Sequence, residues 1–227
     1  SPDFKKLIFK GGSCLRICFD LPRLSEDLDF DGKVSLLKLE SFLKEKIKKA
    51  GFNDLETKIQ GKGRLYLKFP VLKKLGLASK SESDWLFVKI EIGSEILPRA
   101  GFLFIPISQK GLNFLVFCYD LPSLFSGKIN AILERLWFKG KKNEVDIKGR
   151  DFYDLWWYLQ KKVEPNWKSL AVSQKIKNEK ELKKALLLRI KKVTPYKLSF
   201  DLQNFLSDTE FVNDFAKNYR EIVKKYL

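Results

Sequence analysis

The stretch Lys10-Gly11-Gly12-Ser13, followed by Ser25-Glu26-Asp27-Leu28-Asp29-Phe30, decides how this chain is read. Residues 6–10 read as a short strand entering a glycine turn. Residues 13–19 read as a short helix with Ser13 as its N-cap, broken at Leu21-Pro22-Arg23. Residues 27–30 then read as a second strand. Side chains alternate along a strand, so Leu28 and Phe30 face a core while Asp27 and Asp29 share the other side. Glycines admit phosphate oxygens close to the backbone, and free N–H groups plus a hydroxyl hold them. Gly11, Gly12 and Ser13 are therefore candidate triphosphate-binding residues. Two carboxylates on one face can share divalent ions, and Mg²⁺ is usually held by one or two carboxylates plus substrate phosphates. Asp27 and Asp29 are the candidate metal ligands and catalytic acids of a nucleotidyl-transfer site.

Outward from this stretch, Val34, Leu37, Leu39, Phe42, Leu43 and Ile47 recur among lysines with helical spacing, and Gly51 ends the run. Residues 55–59 and 64–69 flank Gln60-Gly61-Lys62-Gly63 as a hairpin. Residues 85–92 read as another strand. Leu86, Val88, Ile90 and Ile92 lie on one face, and Phe87, Lys89 and Glu91 on the other. Glu91 is thus a candidate third carboxylate beside Asp27 and Asp29; the plainer reading is an exposed acid on a sheet face. Residues 113–119 alternate again. After Asp120-Leu121-Pro122 the texture turns helical, with helices expected over roughly 122–138, 150–162, 179–192 and 209–226. Residues 140–148 read as an inserted basic loop. The expected division is 1–120 as an α/β core and 121–227 as a helical domain completing the active-site cleft.

Lys128 lies one turn into its helix, and Arg135, two turns later, shares its face, so both could reach phosphate or a second acid. Arg150 and Asp154 at i, i+4 could also form a simple helix pair. Trp156, Trp157 and Tyr158 read mainly as core. The segment 175–192 alternates charge with apolar residues. Its basic side is either a track for an RNA backbone or a solvated face.

Hydrophobic content of 44% with 14% aromatic residues marks a globular chain. No apolar run is long enough to span a membrane, and no signal peptide is visible, so a cytoplasmic protein is expected. The net charge is +16, from 44 Lys and Arg against 28 Asp and Glu. Such a charge favours a polyanionic partner, although a lysine-rich proteome would produce it too. The chain has no histidine, which excludes Ser-His-Asp triads, HExxH sites and histidine acid–base chemistry. Methionine is absent too, and the chain opens on Ser1-Pro2, so trimming or missing modified methionines is expected. The three cysteines, Cys14, Cys18 and Cys118, sit in apolar runs. Cys14 and Cys18 at i, i+4 could suggest a metal or disulfide, but they read as buried thiols of a reducing compartment, and the odd count with no histidine argues against a zinc site.

Three motifs together resemble the AbiEii/MenT nucleotidyltransferase toxins. The first runs from Lys10-Gly11-Gly12-Ser13-Cys14-Leu15-Arg16 through Leu21 to Phe30. The second is Gly127-Lys128-Ile129-Asn130-Ala131-Ile132-Leu133-Glu134-Arg135. The third is Lys148-Gly149-Arg150-Asp151-Phe152-Tyr153-Asp154-Leu155. They fall in the family's order, although residues 137–147 lengthen the link before the third. The resemblance implies an α+β fold, a polymerase-beta-like mixed sheet core with a C-terminal helical domain. It implies Lys128 as the essential lysine and Asp154 as a further catalytic acid, and it strengthens Glu91 as a metal ligand. Arg135 joins Gly11, Gly12 and Ser13 as a nucleotide-binding candidate. It further implies an NTP cosubstrate, Mg²⁺ (or Mn²⁺), a cognate antitoxin, and RNA, in particular the tRNA 3′ end, as acceptor. The alternatives are a nucleotidyltransferase that modifies a small molecule or protein, and a non-catalytic nucleotide- or RNA-binding protein. Intact Asp27 and Asp29 weigh against the last.

Overall fold

The computed structural model describes residues 2–80, 82–140, 142 and 144–227. Lys141 and Asn143, inside the expected basic loop, lie outside the described residues. The elements in chain order are β1 (Ile8–Lys10), α1 (Gly11–Phe19), β2 (Asp27–Asp31), α2 (Leu36–Lys49), β3 (Glu56–Gln60), β4 (Arg64–Pro70), β5 (Trp85–Gly93), β6 (Phe102–Gln109) and β7 (Leu112–Tyr119). They continue with α3 (Leu121–Glu134), α4 (Gly149–Gln160), α5 (Trp167–Ser173), α6 (Glu179–Ile190), α7 (Pro195–Leu202) and α8 (Thr209–Lys224). The chain divides into two compact units. The first comprises residues 1–18, 25–96 and 103–118; the second comprises 19–24, 97–102 and 119–227.

The first unit is built on a seven-stranded mixed sheet of order β3-β4-β5-β2-β1-β7-β6. β2 runs antiparallel to β1 and parallel to β5, and β7 runs parallel to β1. Alternation sorts the two faces as the sequence requires. Leu65, Leu67 and Ile90 are buried with Leu39 of α2, and Leu28, Phe30, Val88 and Ile92 pack on them. Phe9 and Phe30, opposite each other on β1 and β2, stack at 5.0 Å on that side. Ser35 caps α2 by accepting from the Lys38 N–H. Leu37, expected in the buried stripe, is 68% exposed, and Leu36 packs in its stead. Gly63 lets β5 come close, because a Cβ there would sit 2.6 Å from the Ile92 carbonyl oxygen.

β6 is an edge strand that the sequence reading did not contain. Its connection to β7, Lys110-Gly111, has positive φ at both residues (50° and 77°). That is the backbone of a type I′ hairpin turn, whose twist matches the flanking strands.

The second unit is helical. α3 starts at Asp120, whose side chain caps the Ser123 N–H, with Pro122 in the first turn. Its core contains Phe125, Ile129, Leu155, Tyr158, Leu186, Leu198 and Tyr219. Phe125 and Tyr158 stack at 4.4 Å between α3 and α4. Trp157 and Tyr158 are buried, as expected of core residues. The four expected helices form, starting within one residue of the expected positions and ending two to four residues short of the expected C-termini, and the short α5 and α7 are additional.

Candidate active site

The polar face of the sheet is built by register. Asp29 lies beside Glu91 and Asp27 beside Lys89 across the parallel β2–β5 pair, while Lys10 of β1 faces Asp29. Arg64 of β4 is opposite Glu91. All these side chains emerge on the face away from α2. The Lys89 ammonium lies 2.8 Å from Asp27 Oδ2 and 2.9 Å from Glu91 Oε2, bridging the two acids. Glu91 Oε1 also accepts from Arg64 at 2.8 Å. Burial pulls the Lys89 ammonium down, but Asp27 and Glu91 outweigh it and raise its pKa. Burial likewise pushes Glu91 up, and Lys89 and Arg64 bring it below the usual carboxylate range.

Gly11 explains the glycine turn. Its φ is +75°, and a Cβ there would lie 2.3 Å from Asp29 Oδ2. The missing side chain is what seats the Asp29 carboxylate against the first turn of α1. The first N–H groups of a helix have no intrahelical partner, so this turn is where α1 offers donors. Ser13 is not the N-cap expected from sequence, because α1 already begins at Gly11. Ser13 is 5% exposed, and its hydroxyl donates to the Asp27 carbonyl oxygen, tying α1 to β2. Gly11→Ala is expected to lower both transfer activity and Tm. Left-handed backbone alone costs an L-residue about 1–2 kcal/mol, and the new methyl displaces Asp29. Thermal melts alongside activity measurements check this; an unchanged variant would show that the turn is not what seats Asp29.

Among the described residues this face does not gather Asp27, Asp29 and Glu91 into a three-ligand metal group. Its donors are hard carboxylate oxygens, and two of them, Asp27 and Glu91, already hold a cation in the form of Lys89. Glu91 would have to release Arg64 and Lys89 to serve as a third ligand.

The second unit contains a separate cluster of charges. Arg23 grips Asp154 with two hydrogen bonds, Nε to Oδ1 at 2.6 Å and Nη2 to Oδ2 at 2.7 Å. Lys128 of α3 lies 2.7 Å from both Asp154 Oδ2 and Asp151 Oδ1. Arg135, at the end of the same helix, reaches Asp151 Oδ2 at 2.6 Å. The shared face of Lys128 and Arg135 anticipated from their spacing is thus realised on Asp151. Arg150 pairs with Asp201 of α7, while Asp154 is held by Arg23 and Lys128 from outside its own helix. Asp154 is 0% exposed. Burial pushes its carboxyl up, yet Lys128 and Arg23 overcome this and hold it at about 2. Burial also opposes the charge on Lys128, and Asp151 and Asp154 outweigh it, raising its pKa.

Two members of this network, Arg23 and Asp151, are absent from the site residues read from sequence. Both stand inside the quoted motifs, which was the only signal for them. Asp154 is depressed on folding, so its contribution to stability is complete above its unfolded pKa near 4. It is lost as pH falls from there through about 2. Asp154→Asn should destabilise by about 3–5 kcal/mol near neutrality, because it leaves buried cations uncompensated. It should also flatten the acid limb of a stability–pH curve; an unchanged limb would contradict the assignment.

The mixed sheet, with two same-face acids beside a glycine turn, is consistent with a nucleotidyltransferase fold. Residues 1–227 match the family model described as nucleotidyl transferase AbiEii toxin, type IV toxin–antitoxin system, and the chain belongs to that family of nucleotidyltransferase enzymes. Among solved structures, the crystal structure of JHP933 from Helicobacter pylori is similar at 20% identity and a TM-score of 0.50, over 99% of this chain and 87% of that one. A second H. pylori structure, described as a candidate nucleotidyltransferase, matches at 20% identity and a TM-score of 0.48, over 99% and 90% of the two chains. A search of the curated proteins gives no match. Among the described residues no helix is long and apolar enough to cross a membrane.

Proposed function

We propose that this chain is a metal-dependent toxin that transfers an NMP from an NTP to an RNA acceptor such as the tRNA 3′ end, restrained by a cognate antitoxin. The observation that carries the reading is the pairing of Asp27 and Asp29 on one face of β2 with the Gly11 turn that seats Asp29. Asp27 and Asp29 would hold Mg²⁺ (or Mn²⁺), with Glu91 as third ligand once it leaves Arg64. The ion, when bound, offsets the charge of the attacking and leaving oxygens of an in-line displacement. The first turn of α1, through Gly11 and Gly12, offers backbone N–H groups to triphosphate oxygens. Ser13 acts by fixing α1 on β2 and so orienting that turn. Lys128 gives two of its three N–H donors to Asp151 and Asp154 and has one left for a phosphate oxygen. Asp154 and Asp151 keep it protonated and aimed, and Arg135 adds a second positive charge beside it.

The net charge of +16 supports a polyanionic acceptor. RNA affinity is therefore expected to fall steeply and linearly on a log–log plot against salt. Each phosphate contacted contributes a slope of about −0.7 to −0.9. Filter binding of bulk tRNA across a salt series tests this. A flat dependence, or no binding at low salt, would favour a small-molecule or protein acceptor instead.

A further inference from the structure

The chain has three cysteines, and the fold brings all of them to one place. The sulfurs of Cys14, Cys18 and Cys118 lie within 4.8 Å of one another. Cys14 and Cys18 share one face of α1, one turn apart. Cys118 arrives from a distant part of the chain, through the pairing of Cys118 on β7 with Phe9 on β1. Cys14 and Cys118 are fully buried, Cys18 is half-buried, and none is in a disulfide.

We propose that Cys14, Cys18 and Cys118 form a binding site for one thiophilic d¹⁰ metal ion, of which Zn²⁺ is the type, distinct from the carboxylate face. Zinc–thiolate bonds of about 2.3 Å place two sulfurs on a tetrahedral ion roughly 3.8 Å apart, so small side-chain adjustments suffice. Three protein ligands leave a fourth position for water or an external thiol, approached on the Cys18 side. Thiolates select soft ions over Mg²⁺ and carboxylates the reverse, so one unit sorts two kinds of metal. The neighbouring sulfur of Cys118, together with burial, pushes Cys18 up to about 12 against the contact with Cys14, which lowers it, and contact with Cys118 and Cys18 raises Cys14. Binding therefore exchanges up to three thiol protons, released to solvent, for one ion. The ion would tie α1 to β7. Because α1 begins with the turn that seats Asp29, it would brace that turn as well.

The test is titration of the reduced, chelator-treated protein with Cd²⁺ in excess Mg²⁺, following the sulfur-to-cadmium charge-transfer absorption that carboxylates do not give. Wild type and Asp29→Asn are expected to saturate at one equivalent. Cys118→Ser and Cys18→Ser should lose the band, the half-buried Cys18 serving where Cys118→Ser does not fold. Zn²⁺ at a hundredfold excess over its Kd should raise the wild-type Tm by about 5 °C or more. An absent band, or one undiminished in the serine variants, would overturn the site. So would closure of two of the thiols into a disulfide, without metal uptake, when the reductant is removed.

Discussion

Asp29→Asn and Asp27→Asn are expected to reduce nucleotidyl transfer on the order of a thousandfold, the loss of a group that stabilises transition-state charge, while the protein stays folded. The two substitutions test different surroundings. Asp27 is part-exposed and shares Lys89 with Glu91. Removing its charge leaves Lys89 with a partner, so the cost in stability is below about 1 kcal/mol, as for exposed ion pairs. Asp29 lies against Gly11, and an amide of the same shape keeps that packing. Neither side chain points into the core of Leu39, Leu65, Leu67 and Ile90. Single-turnover transfer with thermal melts checks the prediction. Wild-type label incorporation by either folded variant would remove the metal assignment.

Lys128→Ala is expected to lower turnover on the order of a hundredfold or more, the scale of losing one strong electrostatic stabiliser. The loss should fall on rate more than on nucleotide affinity, since charge develops in the transition state. The geometry adds a second expectation. Lys128 neutralises Asp151 and Asp154 at 2.7 Å each. Removing it leaves Arg23 on Asp154 and Arg135 on Asp151, so Tm should fall without collapse of the helical unit. Lys128→Arg should rescue only in part, because a planar fork does not replace a compact ammonium between two acids. Lys139, exposed and lying 5.5 Å from the Phe200 ring, provides the control: Lys139→Ala should be near neutral. If Lys128→Ala and Lys139→Ala transfer alike below their melting temperatures, Lys128 has no part in the chemistry.

Much of this was legible in the chain, for physical reasons. Period-two alternation put Asp27 and Asp29 opposite Leu28 and Phe30, and Lys89 and Glu91 opposite Ile90 and Ile92, because a half-buried sheet fixes its faces strictly. Period 3.6 put Lys128 and Arg135 on one side of α3. The α2 stripe was right except at Leu37, where Leu36 takes the buried position. What stayed hidden was long-range. Nothing in local pattern says that Arg23 will meet Asp154, or that Cys118 will meet Cys14 and Cys18. Periodicity assigns a face and not a partner.

Other differences have local causes. Pro106 argues against a central strand, and β6 accommodates it because an edge strand tolerates a missing donor. α5 and α7 are too short to show a period. Thr194 before Pro195, and Asn166 before Trp167, were cap signals that could have found them. Ser13 looked like a cap because it followed two glycines. The positive φ of Gly11 starts the helix earlier and frees Ser13 to hold β2.

The most direct test of the central claim is incubation of the purified chain with bulk tRNA and each NTP, labelled in turn at the α- or γ-phosphate. The account predicts that α-label enters RNA, that γ-label does not, and that incorporation needs a divalent ion and is lost in Asp29→Asn. Label entering RNA from the γ-phosphate, or equal α-label incorporation by wild type and Asp29→Asn, would contradict it.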